Sequence, residues 1–368
     1  AGLFVRSVRS AQGMDLGFST RDGAIAWVMP GMSGVDRESH ESLVQRLEER
    51  ILAIPGVTQL ATAEMVPLGV GLHSTGWDIP GVDPPAGQEH LSIRYTLVSS
   101  TYFDVMGIPL VAGRAFSKDD RSESERVAIV SEAAAQRYWP DETAVGKEIR
   151  RVGQEMPYRI VGVAGDTEVW TLGEDFAPFV YLIRSQGTPA GANIIARGSI
   201  PDTEIAGQLR QAIREVDSQL VIMETKTMRE HLSVHLFPPR AASALLGVFG
   251  FLALVLATTG LYGTVAFNVS RRMKEMGIRM SLGAEARRVV GMVFRGAVGP
   301  VAVGGIVGIG LGLGLARAVR GFLYGTSALD PVIFLGVPAI LVVAASLAAY
   351  LPARRAGRVD PVEALRSQ

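Results

Sequence analysis

The sequence predicts an α+β extracytoplasmic domain, made of two β-α-β units with an inserted subdomain, followed by an all-α membrane domain of three transmembrane helices. Three observations predict this division. Strand and helix periodicities fill residues 1–238, three long uncharged runs fill residues 239–368, and basic residues gather between and after those runs. A chain of 368 residues is long enough for two domains that each bury a core.

The first β-α-β unit begins with an apolar strand, Ala24 to Met29. A helix follows, in which apolar residues repeat at helical spacing: Leu43, Val44, Leu47, Ile51 and Leu52. Pro55 and Gly56 end that helix, and Val57 to Val66 forms the second strand. This order predicts one half of a split sheet.

The second unit repeats the pattern near the end of the domain. Ile194 to Arg197 is the strand, and Asp202 is the expected N-cap of the helix. One face of that helix carries Ile205, Leu209, Ile213 and Val216. Leu220 to Met223 is the closing strand, which completes the split sheet.

The region of about residues 68–188 between the two units is rich in Gly and Pro and predicts an inserted subdomain. It contains short strands at Val127–Val130 and Tyr158–Val163. A short helix, Glu132 to Tyr138, ends before Pro140, because the residue before a proline disfavours helix.

Three segments are long and apolar enough to cross a membrane, at about residues 241–267, 296–316 and 331–351. None contains Asp, Glu, Lys or His, so we expect mechanical elements rather than a charge-conducting route. Lys and Arg concentrate in the first loop and the tail, which places residues 1–240 outside and the C-terminus in the cytoplasm. In the second span, Gly304, Gly308 and Gly312 predict close helix packing.

Catalytic motifs are not evident. The chain has no Cys, which excludes a disulfide framework and thiolate metal or redox chemistry. His231 and His235 lack the Glu that a zinc-protease motif requires, so a structural pair is the better interpretation. Gly146-Lys147 resembles the end of a phosphate loop, but Asp141 and Glu148 occupy required Gly and Ser/Thr positions. We expect no enzyme activity, cofactor or metal in this chain.

The segment SRRMKEMGIRMSLGA, from Ser270 to Ala284, resembles the cytoplasmic loop of MacB/FtsX-type permeases of ABC transporters. The ending PARRAGRVDPVEALR, from Pro352 to Arg366, also resembles that family, as do YFDVMGI from Tyr102 and IVGV from Ile160. Members have a further membrane helix before the outer domain. The opening residues Ala1–Ser7 resemble the exit from such a helix, so we expect one half of a duplicated permease or a permease without its start.

The resemblance implies a multi-pass protein of the bacterial inner membrane that transmits ATP-driven motion for export or efflux. The implied partners are an ABC ATPase, a second permease copy or half, membrane lipid and an optional periplasmic adaptor. An FtsX-like regulator that switches a cell-wall hydrolase is the alternative, and a membrane-anchored enzyme is a distant third. The basic loop lacks the interleaved aromatic residues of a nucleic-acid surface, so no nucleic acid is expected.

The first cytoplasmic loop is the candidate site, where Arg271 to Gly283 is expected to form a short helix that docks on the ATPase. Apolar residues in a loop that should otherwise be solvated suggest a contact surface. The alternative is a helix that lies on anionic lipid. The predicted docking residues are Arg272, Glu275, Met276, Gly277, Ile278, Arg279, Met280, Leu282 and Gly283.

Overall fold

The structure is a computed structural model that describes residues 15–20, 23–36, 39–69, 73–169, 175–187, 189, 191–272, 275, 278, 291, 302–314, 336, 339–348 and 350. The chain divides into two compact units. The first is Asp15–His235, and the second includes the residues from Leu236 onward. Each unit is described by itself.

Within the described residues, the first unit is a mixed α/β domain. Its strands are β1 (Ala24–Val28), β2 (Val57–Ala63), β3 (His73–Asp78), β4 (Leu91–Val98), β5 (Leu110–Gly113), β6 (Val127–Ser131), β7 (Glu148–Arg151), β8 (Tyr158–Ala164), β9 (Phe179–Ile183), β10 (Ala192–Gly198) and β11 (Ile222–Thr227). Its helices are α1 (His40–Leu52), α2 (Tyr102–Met106), α3 (Glu132–Tyr138) and α4 (Asp202–Val216). A long helix, α5 (Met228–Arg271), follows β11.

The two β-α-β units form one four-stranded sheet in the order β11-β1-β10-β2. All three pairings are antiparallel, with Ile25 opposite Ile195 and Ile195 opposite Ala61. Each unit therefore places its two strands apart, and a strand of the other unit lies between them, as in a split β-α-β arrangement.

Helices α1 and α4 cover one face of this sheet. Their apolar faces are buried through Leu43, Leu47 and Ile51 on α1 and through Ile205, Leu209 and Ile213 on α4. Burying one such side chain contributes about 1.5–3 kcal/mol, so these two stripes hold the helices to the sheet. The residues whose spacing predicts the two helices are thus the residues that pack against the sheet.

Several predicted details are wrong at element ends. Leu52 is the last residue of α1 and is 50% exposed, because the chain turns away there toward Gly56. Asp202 is the first helical residue and Pro201 is the N-cap, since the Pro201 carbonyl accepts the Glu204 and Ile205 N–H groups. The strand after α4 runs from Ile222 to Thr227 rather than from Leu220 to Met223, because its alternating polar residues form an edge strand.

The strands between the two units close into a six-stranded barrel. The order is β4-β3-β7-β8-β6-β9, and a parallel β9–β4 pairing joins the ends. The interior contains Trp77, Tyr95 and Tyr158, with Trp77 packed edge-on against both tyrosines. Helix α3 has the predicted bounds, and the Ser131 hydroxyl caps it by accepting the Ala134 N–H at 3.2 Å.

The barrel joins the four-stranded sheet through a narrow seam. Strands β2 and β4 pair at one position, Ala63 opposite Val98. Two backbone hydrogen bonds flank it, from the Glu64 N–H to the Leu97 carbonyl and from the Ser99 N–H to the Thr62 carbonyl, each 2.8 Å. Few backbone contacts therefore fix the barrel to the sheet at this seam.

Among the described residues, one helical segment is long and apolar enough to span a membrane, Ala241–Arg271 within α5. It extends the first predicted span by four residues, from 267 to 271. Two shorter apolar helices follow, α6 (Ala302–Gly314) and α7 (Ala339–Ala348). The remaining parts of the predicted spans 296–316 and 331–351 lie outside the described residues, so three spans stay a prediction.

Candidate functional site

The structure places the start of the predicted docking loop at the end of α5. Arg271 is the last residue of α5, so the expected separate helix does not begin there. Beyond the turn at Arg272, Glu275 and Ile278 are helical. The Ile278 side chain is 46% exposed. Met276, Gly277, Arg279, Met280, Leu282 and Gly283 lie outside the described residues.

The glycines predicted to pack helices lie on α6. A Cβ added at Gly304 or Gly308 would meet no described atom within 4 Å. Gly312 is also in α6, four residues further on. The described chain therefore leaves space beside Gly304 and Gly308, and the contact of the three glycines with another helix stays a prediction.

Three threonine hydroxyls of the span in α5 bond to carbonyls of their own helix. The hydroxyls of Thr259 and Thr264 donate to the carbonyls of Val255 and Gly260, each at 2.8 Å, and Thr258 donates to Leu254. Its large apolar side chains, among them Leu245, Phe249 and Leu256, are exposed. An apolar helix with satisfied hydroxyls and exposed leucines is suited to lipid rather than water.

The histidine and Gly-Lys motifs of the outer domain have structural environments. His231 is buried on α5, where its Nε2 lies 2.8 Å from the Pro67 carbonyl. The side chain of His235 lies outside the described residues. Gly146 turns the chain with φ +89°, and Lys147 forms an ion pair with Glu142. These positions stabilise turns and a helix start. Among the described residues, no cluster of His, Asp and Glu has the composition of a metal site.

A buried ionic cluster connects the barrel to α1. Arg184 directly follows β9, its side chain is 5% exposed, and its Nη2 donates to Glu41 Oε2 at 2.9 Å. Glu48 lies two turns further along α1 and accepts from the Thr62 hydroxyl at 3.1 Å. Burial raises the pKa of Glu48, and the Arg184 charge and the Thr62 hydrogen bond only partly oppose this. The cluster holds the two parts of the domain together beside the narrow β2–β4 seam.

No local sequence pattern predicts this cluster. Arg184 comes immediately after the five-residue apolar strand Phe179–Ile183, and Glu41 and Glu48 are seven residues apart on a helix whose other face is apolar. A basic residue at the end of a buried strand was the available signal. Only the tertiary fold shows that it meets the two carboxylates.

An α/β domain followed by a helix that is long and apolar enough to span a membrane is the arrangement of a membrane permease with a folded domain beside the bilayer. The comparisons agree with this class. Residues 4–216, more than half of the chain, match the MacB-like periplasmic core domain, and residues 247–361 match the FtsX-like permease C-terminal domain. The chain belongs to the MacB/FtsX-like family of ABC transporter permeases, which are membrane proteins with a periplasmic domain.

Named relatives are distant. The macrolide export ATP-binding/permease protein MacB of Wolinella succinogenes is 25% identical over 298 residues, 77% of this chain and 45% of that protein. The uncharacterized ABC transporter permease YknZ of Bacillus subtilis is 25% identical over 274 residues, 73% of this chain and 68% of that protein. The solved periplasmic region of MacB from Actinobacillus actinomycetemcomitans has a TM-score of 0.41 and 15% identity, over 59% of this chain and 94% of that one. This chain thus matches less than half the length of the Wolinella MacB relative.

Proposed function

We propose that this chain is the permease subunit that couples ATP hydrolysis by a separate ABC ATPase to movement of its periplasmic domain, which exports a substrate. One observation carries the proposal. The MacB-like periplasmic match and the FtsX-like permease match lie in one chain, before and after the start of the apolar segment of α5. The MacB relatives are named as ATP-binding and permease proteins, which supports an ATPase as the partner.

A mechanical role follows from the chemistry of the first span. From Ala241 to Ser270 the chain carries no charged residue, whereas ion and proton pathways usually contain one. The three threonines in its second half bond to their own helix and are not presented to a permeating ion. We therefore assign motion, not conduction, to this helix.

The proposed topology places residues 1–240 outside and the loop after α5 in the cytoplasm. Arg272, Glu275 and Ile278 then begin the surface that docks on the ATPase. Exposed apolar Ile278, flanked in sequence by Met276 and Met280, gives that surface a hydrophobic centre. A second permease copy or half would complete the transporter and would face the glycine stripe of α6.

The test replaces both loop methionines with aspartate, Met276→Asp and Met280→Asp, in the full chain. We expect loss of the co-purifying ATPase and of its stimulation, because two carboxylates would be buried in an apolar contact. The matched control is Met32→Asp with Met156→Asp, two exposed methionines of the outer domain, and it should keep both. If the loop variant stimulates the ATPase as fully as the control, the docking proposal is wrong. If a cell-wall hydrolase co-purifies through the outer domain instead, the proposed function would be regulation of that hydrolase rather than export.

A further inference from the structure

The last turns of α5 have two chemically different faces. Val265 and Val269, four residues apart, are buried, with exposures of 5% and 6%. Phe267 and Arg271, also four residues apart, are exposed. A shift of two residues is about 200° around a helix, so the two pairs lie on opposite sides. The valines pack within the protein, while Phe267 and Arg271 face its surroundings.

Large apolar side chains are exposed all around the earlier turns of α5, and one row of them lies on the same side as Phe267. The members of this apolar stripe recur at spacings of three and four residues: Leu245, Phe249, Leu252 and Leu256. Phe267 lies near the end of this stripe and Arg271 ends it. A stripe of large exposed apolar side chains on a spanning helix contacts acyl chains, so Arg271 lies where the lipid-facing surface reaches its end.

The length of the span sets the depth of Arg271. The apolar segment Ala241–Arg271 has 31 residues, which at 1.5 Å per residue is about 46 Å. A bilayer is about 40–45 Å thick when the headgroup regions are included. In the topology proposed above, on which this inference rests, Ala241 lies at the outer surface of the bilayer and Arg271 reaches the headgroup layer on the other side, where phosphates lie.

The Arg271 side chain lies over the Phe267 ring. Its guanidinium carbon lies 5.3 Å from the centre of the Phe267 ring, so the ring supports the cation from the apolar side. A guanidinium donates through a planar fork that matches phosphate oxygens in a bidentate manner. We infer that Arg271, supported by Phe267, is a binding site for the headgroup phosphate of an anionic phospholipid, distinct from the ATPase-docking residues that begin at Arg272.

The test measures lipid binding to the purified full chain in detergent by native mass spectrometry, with no ATPase subunit present. The probes are phosphatidylglycerol, phosphatidylcholine and inorganic phosphate. We expect the wild-type chain to bind phosphatidylglycerol most tightly. Arg271→Gln should weaken that binding about fivefold, the effect of one interfacial cation. Arg271→Lys should be intermediate, because it keeps the charge and loses the fork.

The matched control is Arg272→Gln, which removes the same charge one residue further on and off the Phe267 stripe. It should keep most of the phosphatidylglycerol affinity. Equal losses in Arg271→Gln and Arg272→Gln would mean general attraction to a basic segment and would overturn the site. Equal affinity for the two lipids would also overturn it, as would competition by inorganic phosphate at the same concentration. Because the ATPase is absent, this result is independent of the docking experiment.

Discussion

Replacing Arg184 with methionine tests whether the buried ionic cluster holds the periplasmic domain together. Met keeps the apolar volume of the side chain and removes the charge, which leaves Glu41 and Glu48 without their cation. Removing one partner of a fully buried pair costs about 3–5 kcal/mol. The Glu41 side chain is 60% exposed and Glu48 is half-buried, so water compensates part of this loss. We expect about 2 kcal/mol, between the values for an exposed and a fully buried pair, which lowers the melting temperature of a domain of this size by about 4–8 °C.

The native chain has no cysteine, so one engineered thiol reports unfolding in the full-length protein. Ala128→Cys in β6 is fully buried in the barrel and becomes reactive toward a maleimide when the barrel opens. The control is Arg50→Met, which removes the exposed ion pair between Arg50 of α1 and Glu215 of α4, and it should cost about 0–1 kcal/mol. Adding Glu48→Gln to Arg184→Met should recover part of the loss. If Arg184→Met costs no more than the control, the cluster does not stabilise the domain.

Three further predictions concern pH, domain limits and topology. Because the pKa of Glu48 is raised in the folded protein, its contribution to stability is present below the ordinary value of 4.5 and is lost as pH rises. Glu48→Gln should therefore match or exceed the wild type in thermal stability at pH 7, and the difference should disappear in acid. A variant that is less stable at pH 7 would contradict this. A soluble segment of residues 15–237 should unfold cooperatively in a urea titration. The shorter segment 19–237 lacks the buried Leu16 and Phe18, so its free energy of unfolding should be roughly 3–6 kcal/mol lower. Equal urea midpoints for the two segments would show that residues 15–18 are dispensable. In intact cells, a membrane-impermeant maleimide should label Ser122→Cys, because Ser122 is exposed on the outer domain, and it should not label Met280→Cys. The reverse labelling pattern would invert the proposed topology.

The sheet and its two covering helices were predictable because local periodicity and final packing coincide there. Leu43, Leu47 and Ile51 form a stripe in the sequence, and the same residues are buried in the structure. Glu132–Tyr138 was predictable at both ends because Ser131 caps it and Pro140 limits it. Element ends were less predictable, since Leu52 is apolar and yet exposed.

The barrel and the candidate site depend on contacts that local patterns do not show. Closure requires the parallel pairing of β4 with β9, in which Arg94 lies opposite Phe179. Strand β3, with the sequence HSTGWD, is largely polar and has no apolar alternation to mark it. The Arg184 cluster likewise joins residues that are more than 100 positions apart. The docking role of the loop after α5 is predicted from the resemblance to a family and stays a prediction, because its residue types alone also fit a lipid-bound helix.

The position of β1 has a consequence for how the protein is made. Both neighbours of β1 in the sheet, β10 and β11, are the last two strands of the periplasmic domain. All six barrel strands, by contrast, lie between His73 and Ile183. When the chain is exported starting from its N-terminus, the barrel strands are therefore all present before β10 and β11 emerge. Until then, the apolar surfaces of β1 and α1 remain exposed. A chain stalled before residue 192 would present a finished barrel beside an unprotected segment, which is a substrate for periplasmic chaperones and proteases.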